Sequence, residues 1–189
     1  MCIRDSGEGA ATLVLEEEEH AKKRNAPILG ELAGYGATDD AYHITQPSEG
    51  GKGAIKAMWL AIQDASLNPN DINYINAHGT STPFNDKTES AAISSLFGEH
   101  TAHLRISSTK SMVGHALGAS GALEAVVCVK AINENIAPPT INYDHKDPEC
   151  TLNYVPNNAE KTQINAAMSN SFGFGGHNAV IVFKKWGND

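Results

Sequence analysis

The stretch that decides the fold is LRISSTKSMVGHALGASGALEAVVCVKAINENIAPP, residues 104–139. Leu104 to Ser108 has the short apolar composition of a buried strand, and it empties into the polar turn Thr109 to His115. From there a helix is expected to run to about Asn135, where Pro138-Pro139 ends any helical pattern. Apolar or small residues surround this helix almost entirely, and Gly118, Ala119, Gly121 and Ala122 permit another backbone to come close. Such a helix is expected to be central and buried, since a solvent-facing helix keeps one polar side.

Working upstream, Ile72, Tyr74 and Ile75 form a short strand that ends at Ala77-His78, where Gly79 and a Thr/Ser run force a loop. Asn85 or Asp86 then caps a helix. Asp86 with Glu89 resembles a capping box, and Gly98 marks the carboxyl-terminal stop. Before that strand, Ile55, Met58, Trp59 and Ile62 recur on one face of an amphipathic helix that Asn68-Pro69 terminates. Ile28 to Gly36 reads as a strand, and 38–53 is a polar, Pro- and Gly-containing connection that suits a domain boundary. Glu17 to Arg24 reads as a solvated helical turn. Downstream, Ala166 to Asn170 and Ala179 to Lys184 are strands joined by the glycine-rich loop Phe172 to His177.

Helices alternating with short strands imply an α/β layered architecture. In such sheets ligands gather beyond the carboxyl ends of the strands. Three strand ends here carry chemically suggestive residues: His78, then Lys110 with His115, then Phe172 to His177.

Each of these residues has a bland reading and a sharp one. His78 is either a satisfied structural histidine or a neutral hydrogen-bond donor. His115, placed at the start of the long helix, would be kept neutral by the positive end of the dipole. Two neutral imidazoles converging on one carbonyl oxygen would form an oxyanion hole for a developing enolate. Lys110 is either a surface lysine or the partner of Glu124, whose carboxylate inside so apolar a helix requires one. The loop 170–176 is either a tight turn or a set of backbone amides and an aromatic gate facing a substrate.

Composition narrows the rest. With 22 acidic and 14 basic residues the net charge is -8, which argues against nucleic acid as a partner. No segment reaches the roughly 20 apolar residues of a membrane span. Cys2, Cys128 and Cys150 form no CxxC pair, so a reducing, cytoplasmic setting fits better than a disulfide scaffold. Eight histidines raise the question of a metal, but only His100 and His103 are close in sequence and no third ligand is near, so no metal site is expected. The glycines lack the order of a dinucleotide site. Met1 to Ser6 has no apolar signal-peptide core and reads as a non-native head, a cloning or assembly scar, on a fragment whose upstream portion is absent.

Three motifs together carry a resemblance. Asn76-Ala77-His78-Gly79-Thr80-Ser81-Thr82-Pro83, Ser108-Thr109-Lys110-Ser111-Met112-Val113-Gly114-His115 and Asn170-Ser171-Phe172-Gly173-Phe174-Gly175-Gly176 stand in the order and spacing of the β-ketoacyl-acyl-carrier-protein synthases, closest to the type II elongating enzymes. The chain resembles that family over about Gly7 to Lys185. The resemblance implies the thiolase fold, two βαβαβαββ halves in an α-β-α-β-α layering, of which this chain holds the second. On that basis residues 7–45 end the first half and 46–187 form the carboxyl-terminal synthase domain.

The resemblance also implies roles. His78, His115 and Lys110 match the catalytic residues that act when malonyl-acyl-carrier protein is decarboxylated and the carbanion attacks an acyl thioester. Glu124 matches the partner of the lysine, and Phe174 the aromatic gate. Thr80 and Thr82 match the contacts to the carrier's phosphopantetheine arm, and Phe172 and Gly173 belong to the substrate-facing loop. No cofactor of its own is implied; acyl carrier protein is the partner, and family members are homodimers. The family's nucleophilic cysteine lies in the other half, and none of the three cysteines here replaces it, so the chain alone is expected to be inactive. Two other readings remain open: a non-catalytic subunit of the chain-length-factor kind, or a piece of a polyketide ketosynthase. Degradative thiolases use a second cysteine near a glycine-rich loop, and 172–176 has none.

Overall fold

A computed structural model describes residues 7–187; the reading of 1–6 as a foreign head lies outside the described residues. Helix α1, Glu18–Lys23, is exposed apart from Ala21 and is capped by the Glu17 side chain, which accepts from the His20 amide at 2.8 Å. Strand β1, Glu31–Asp39, starts three residues later than its composition suggests and continues past Gly36. The ladder sets these limits, because Glu31 pairs opposite Lys184 and Asp39 opposite His177.

Helix α2, Lys52–Asp64, packs beneath β1. Its buried stripe is Ala54, Ala57, Met58, Ala61 and Ile62, whereas Trp59, expected on the inner face, is 37% exposed. Small residues decide this packing. A Cβ on Gly34 would lie 2.2 Å from the Ala61 carbonyl oxygen, and one on Gly36 2.1 Å from that of Ala57. The two glycines therefore let the strand backbone rest on an alanine ridge, and the larger apolar residues turn outward or sideways.

Strand β2, Tyr74–Asn76, leads to α3, Pro83–Phe97. This helix begins earlier than an Asn85 or Asp86 cap would allow: Thr82 is the N-cap and Pro83 the first helical residue, where a missing N–H costs no intrahelical bond. The Asp86–Glu89 capping box does not form. Asp86 instead accepts from the Ser81 amide at 3.1 Å, and Glu89 turns into the interior. Gly98, at φ +51°, closes the helix as expected.

Strand β3, Arg105–Ser107, is followed by the one-turn helix α4, Lys110–Val113, and then by α5, Ser120–Glu134. The long helix thus starts five residues after His115. Gly114 at φ +74° and Leu117 at φ +48° break the path between α4 and α5. One face of α5 is buried through Ser120, Glu124, Ala125, Cys128, Ala131 and Ile132, while Val126 is 37% exposed, so the helix is buried on one side only.

A short pair, β4 Ile136–Ala137 and β5 Glu160–Lys161, precedes β6, Ala166–Phe172, and β7, His177–Lys184. The main sheet runs β1-β7-β6-β2-β3, with β2 parallel to both β3 and β6, and β7 antiparallel to β6 and β1. The elements that build it follow the order β-α-β-α-β-α-β-β along the chain. Alternation along β6 and β7 separates two cores. Ala166, Met168, Val180 and Val182 join the α2 and α3 side with Met58, Ile62 and Ile93. Ala167 and Phe183 join the α5 side with Cys128 and Ile132. Burying each of these larger side chains contributes about 1.5–3 kcal/mol.

Candidate active site

Because β2 pairs in parallel with β3 on one side and β6 on the other, the carboxyl ends of all three open on one edge of the sheet. The loops leaving them bring His78 and His115 together. Their ring centroids are 5.8 Å apart and their planes meet at 85°. The two rings are thus in direct edge-to-face contact at the mouth of the sheet edge. Phe172, at the end of β6, lies with its ring centroid 5.7 Å from that of His78, the planes tilted by 52°.

The His78 loop is held by its backbone. The amides of His78 and Gly79 each donate to the Glu89 carboxylate at 2.9 Å, and Asn170 Nδ2 donates to the same group at 3.0 Å. Glu89, buried on α3, thereby ties that helix to the loop after β2 and to β6. Gly79 sits at φ +42°, and a Cβ there would come 2.5 Å from the Ser108 Cβ. Glycine is therefore required where this loop crosses the one after β3. Asn76 Nδ2 donates to Thr109 Oγ1 at 3.1 Å and joins the same two loops.

His78 is neutral at physiological pH. Burial, aided by the Lys110 charge and then by His115, pulls its pKa down to about 3. His115 does not stand at the start of the long helix, so the dipole anticipated above has no helix end to act from. The His115 Nδ1 accepts from the Leu117 amide at 3.1 Å, and an amide can only donate, so the ring proton resides on Nε2.

Lys110 opens α4 and Glu124 lies in the second turn of α5. They form an ion pair in which both side chains are 3% exposed. Burial raises the Glu124 carboxyl to about 7, opposed by the charge and hydrogen bond of Lys110. The surface-lysine reading is thus excluded, and the ammonium lies close enough to depress His78.

Thr80, buried, and Thr82, half-buried, share a hydroxyl hydrogen bond of 3.0 Å on the loop between β2 and α3. Gly173 donates to the His177 carbonyl at 2.7 Å and closes the turn between β6 and β7. Phe174, at the top of that turn, is 74% exposed; Phe172 is the aromatic residue that meets His78. The turn is tied to the segment after β1 by Gly175 N donating to the Ile44 carbonyl and Asp40 N donating to that of Gly176.

The cysteines stand apart. Cys128 is in the α5 core, where burial pushes its thiol well above the ordinary range, and Cys150 is buried beside Ser90 and Tyr154, its thiol raised for the same reason. Neither is poised as a thiolate. Glu89 is the site residue that the sequence reading assigned elsewhere. Its place three and four residues before the buried Ala92 and Ile93 on α3 was the available signal that it faces inward.

Residues 29–144 match the family model described as beta-ketoacyl synthase, C-terminal domain. The chain belongs to the β-ketoacyl synthase family. It is 53% identical over 180 residues to 3-oxoacyl-[acyl-carrier-protein] synthase 2 of Synechocystis sp., covering 95% of this chain and 43% of the relative. The synthase of the same name from Staphylococcus aureus is also 53% identical, with 95% and 44% covered. The chain therefore spans less than half the length of these relatives. Among solved structures, the ishigamide ketosynthase/chain length factor aligns with a TM-score of 0.91 at 44% identity, over 96% of this chain and 44% of that one. A type II polyketide acyl-carrier protein in complex with its ketosynthase gives 0.87 at 43% identity, over 90% and 42%. A β-ketoacyl synthase from Burkholderia phymatum gives 0.84 at 44% identity, over 90% and 41%. The mixed α/β layering with its five-stranded sheet is thus the thiolase-like ketosynthase arrangement.

Proposed function

We propose that this chain supplies the malonyl-handling half of a 3-oxoacyl-acyl-carrier-protein synthase of fatty acid biosynthesis, in which His78 and His115 hold a thioester oxygen while carbon dioxide leaves. The observation that carries this reading is the edge-to-face meeting of two imidazoles, one with its pKa pulled to about 3 and the other with its proton on Nε2.

In this reaction the bond between the malonyl α-carbon and its carboxylate breaks and carbon dioxide departs. The electron pair passes into an enolate whose oxygen accepts hydrogen bonds from the two rings. Each donor of this kind contributes about 2.7–4 kcal/mol to the transition state. The enolate carbon then attacks the carbonyl of an acyl group held as a thioester on a cysteine of the remainder of the enzyme; a carbon-carbon bond forms and the cysteine thiolate leaves. Neutral rings suit the first step because they donate a hydrogen bond without surrendering a proton to the enolate. Lys110, anchored by Glu124, adds its charge to burial in keeping His78 neutral. Thr80 and Thr82 receive the phosphopantetheine arm of acyl carrier protein, the partner that presents both substrates. Phe172, Gly173 and Phe174 border the acyl side, with Phe174 as the movable gate. No further cofactor takes part, the intact enzyme is a cytoplasmic homodimer, and 46–187 is its carboxyl-terminal domain.

Without the cysteine the chain alone forms no acyl-enzyme. Mass spectrometry after incubation with acyl-carrier thioester tests this: the expected result is an unmodified chain, and an acyl adduct on Cys128 or Cys150 overturns it. The likeness to the ketosynthase of a type II polyketide system favours a polyketide substrate as the second reading. Turnover of saturated acyl thioesters against polyketonyl ones by the enzyme carrying this chain separates the two.

A further inference from the structure

Ser120 is the first residue of α5, directly after the N-cap Ala119, which has no side chain able to cap. The residue is 7% exposed, and its hydroxyl points back into the turn that carries His115. Ser120 Oγ accepts from the Ala116 amide at 3.0 Å and lies 3.0 Å from His115 Nδ1. With the Leu117 amide also donating to Nδ1, the serine proton is directed at the ring nitrogen. The turn itself is irregular: Gly114 is at φ +74° and Leu117 at φ +48°, a conformation costly for a leucine.

We propose that Ser120 is a positioning residue that sets the rotation of the His115 ring and biases its proton to Nε2. A single hydroxyl holds two adjacent residues within the bend, His115 and Ala116. It holds the Ala116 amide with its lone pair and the imidazole with its proton, so the ring cannot rotate about χ1 or χ2 without releasing one of them. The inference rests on the reading of His115 as an N–H donor to substrate.

The test uses the enzyme carrying this chain, labelled with 15N at histidine, with Ser120→Thr and Ser120→Val as a pair of nearly equal shape that differ in the hydroxyl. Long-range 15N–1H spectra report which ring nitrogen carries the proton, and thermal melts report stability. The wild type and S120T are expected to show His115 in one state with its proton on Nε2. S120V is expected to give mixed tautomers or exchange-broadened His115 signals, with His78 signals retained. S120A serves as a second hydroxyl-free variant should the branched side chain prevent folding; alanine favours the helix, so a change at His115 without a fall in melting temperature separates positioning from stability. If S120V and S120A both keep the single Nε2–H state, the inference is overturned while the reading of His115 survives. If the wild type itself carries the proton on Nδ1, the donor reading fails first.

Discussion

The ring of His78 meets the ring of His115 edge to face, with 5.8 Å between centroids and 85° between planes. They come from different loops, after β2 and around the bend between α4 and α5; the His78 amide is held by Glu89, and the His115 ring by the Leu117 amide and Ser120. Removing one ring should therefore leave the second in place. In the enzyme carrying this chain, His78→Ala or His115→Ala is expected to lower malonyl-thioester decarboxylation about 10²–10³-fold with little change in KM. Steady-state carbon dioxide release measures this, and a tenfold or smaller loss in both variants contradicts it.

The acid limb of stability should belong to His78 and the neutral limb to Glu124. Folded His78 titrates near 3 against an ordinary 6.5, so between those values the unfolded chain takes up a proton that the folded chain refuses, and stability falls as pH falls through that window. Folded Glu124 titrates near 7 against an ordinary 4.5, so the folded chain retains a proton that the unfolded chain releases, and stability falls as pH rises through 4.5 to 7. Urea midpoints from pH 3 to 8 are expected to flatten on the acid side in His78→Asn and on the neutral side in Glu124→Gln. Superimposable profiles for wild type and both variants rule the assignment out.

Lys110 and Glu124 are interdependent. Lys110→Met leaves a buried carboxylate unpaired and is expected to cost about 3–5 kcal/mol, whereas Lys110→Met with Glu124→Met should recover most of that loss. Denaturant unfolding of the two single variants and the double provides the cycle; simple additivity is the outcome that refutes the pairing.

Glu89→Ala should loosen the site from beneath, since it strands the amides of His78 and Gly79 and the side chain of Asn170. Each buried donor left without an acceptor costs about 1–3 kcal/mol. Hydrogen exchange at the His78 and Gly79 amides is expected to accelerate well beyond that of the β2 amides. Uniform acceleration across the chain points instead to general destabilisation.

Much of this was legible in the sequence because motifs at strand ends report where a sheet opens. His78, Lys110 and His115 stand at such ends, and an acid inside an apolar helix announces its need for a partner, as Glu124 does. What stayed hidden depends on contacts between distant segments. The inward stripe of α2 is made of alanines because Gly34 and Gly36 admit the strand backbone, and periodicity weighted toward large residues such as Trp59 points to another face. The break between α4 and α5 follows from the left-handed backbone at Gly114 and Leu117, and only the former is a residue that signals it. Glu89 satisfied a local capping pattern, but two amides eleven and ten residues upstream compete for its carboxylate, and their position emerges only once β2 and α3 pack.

The most direct measurement is a crystal structure of the enzyme carrying this chain with a malonyl thioester analogue that cannot lose carbon dioxide. The thioester carbonyl oxygen is expected about 2.7–3.1 Å from a ring nitrogen of both His78 and His115. An oxygen turned away from either ring, with the analogue otherwise seated in the pocket, would contradict the account.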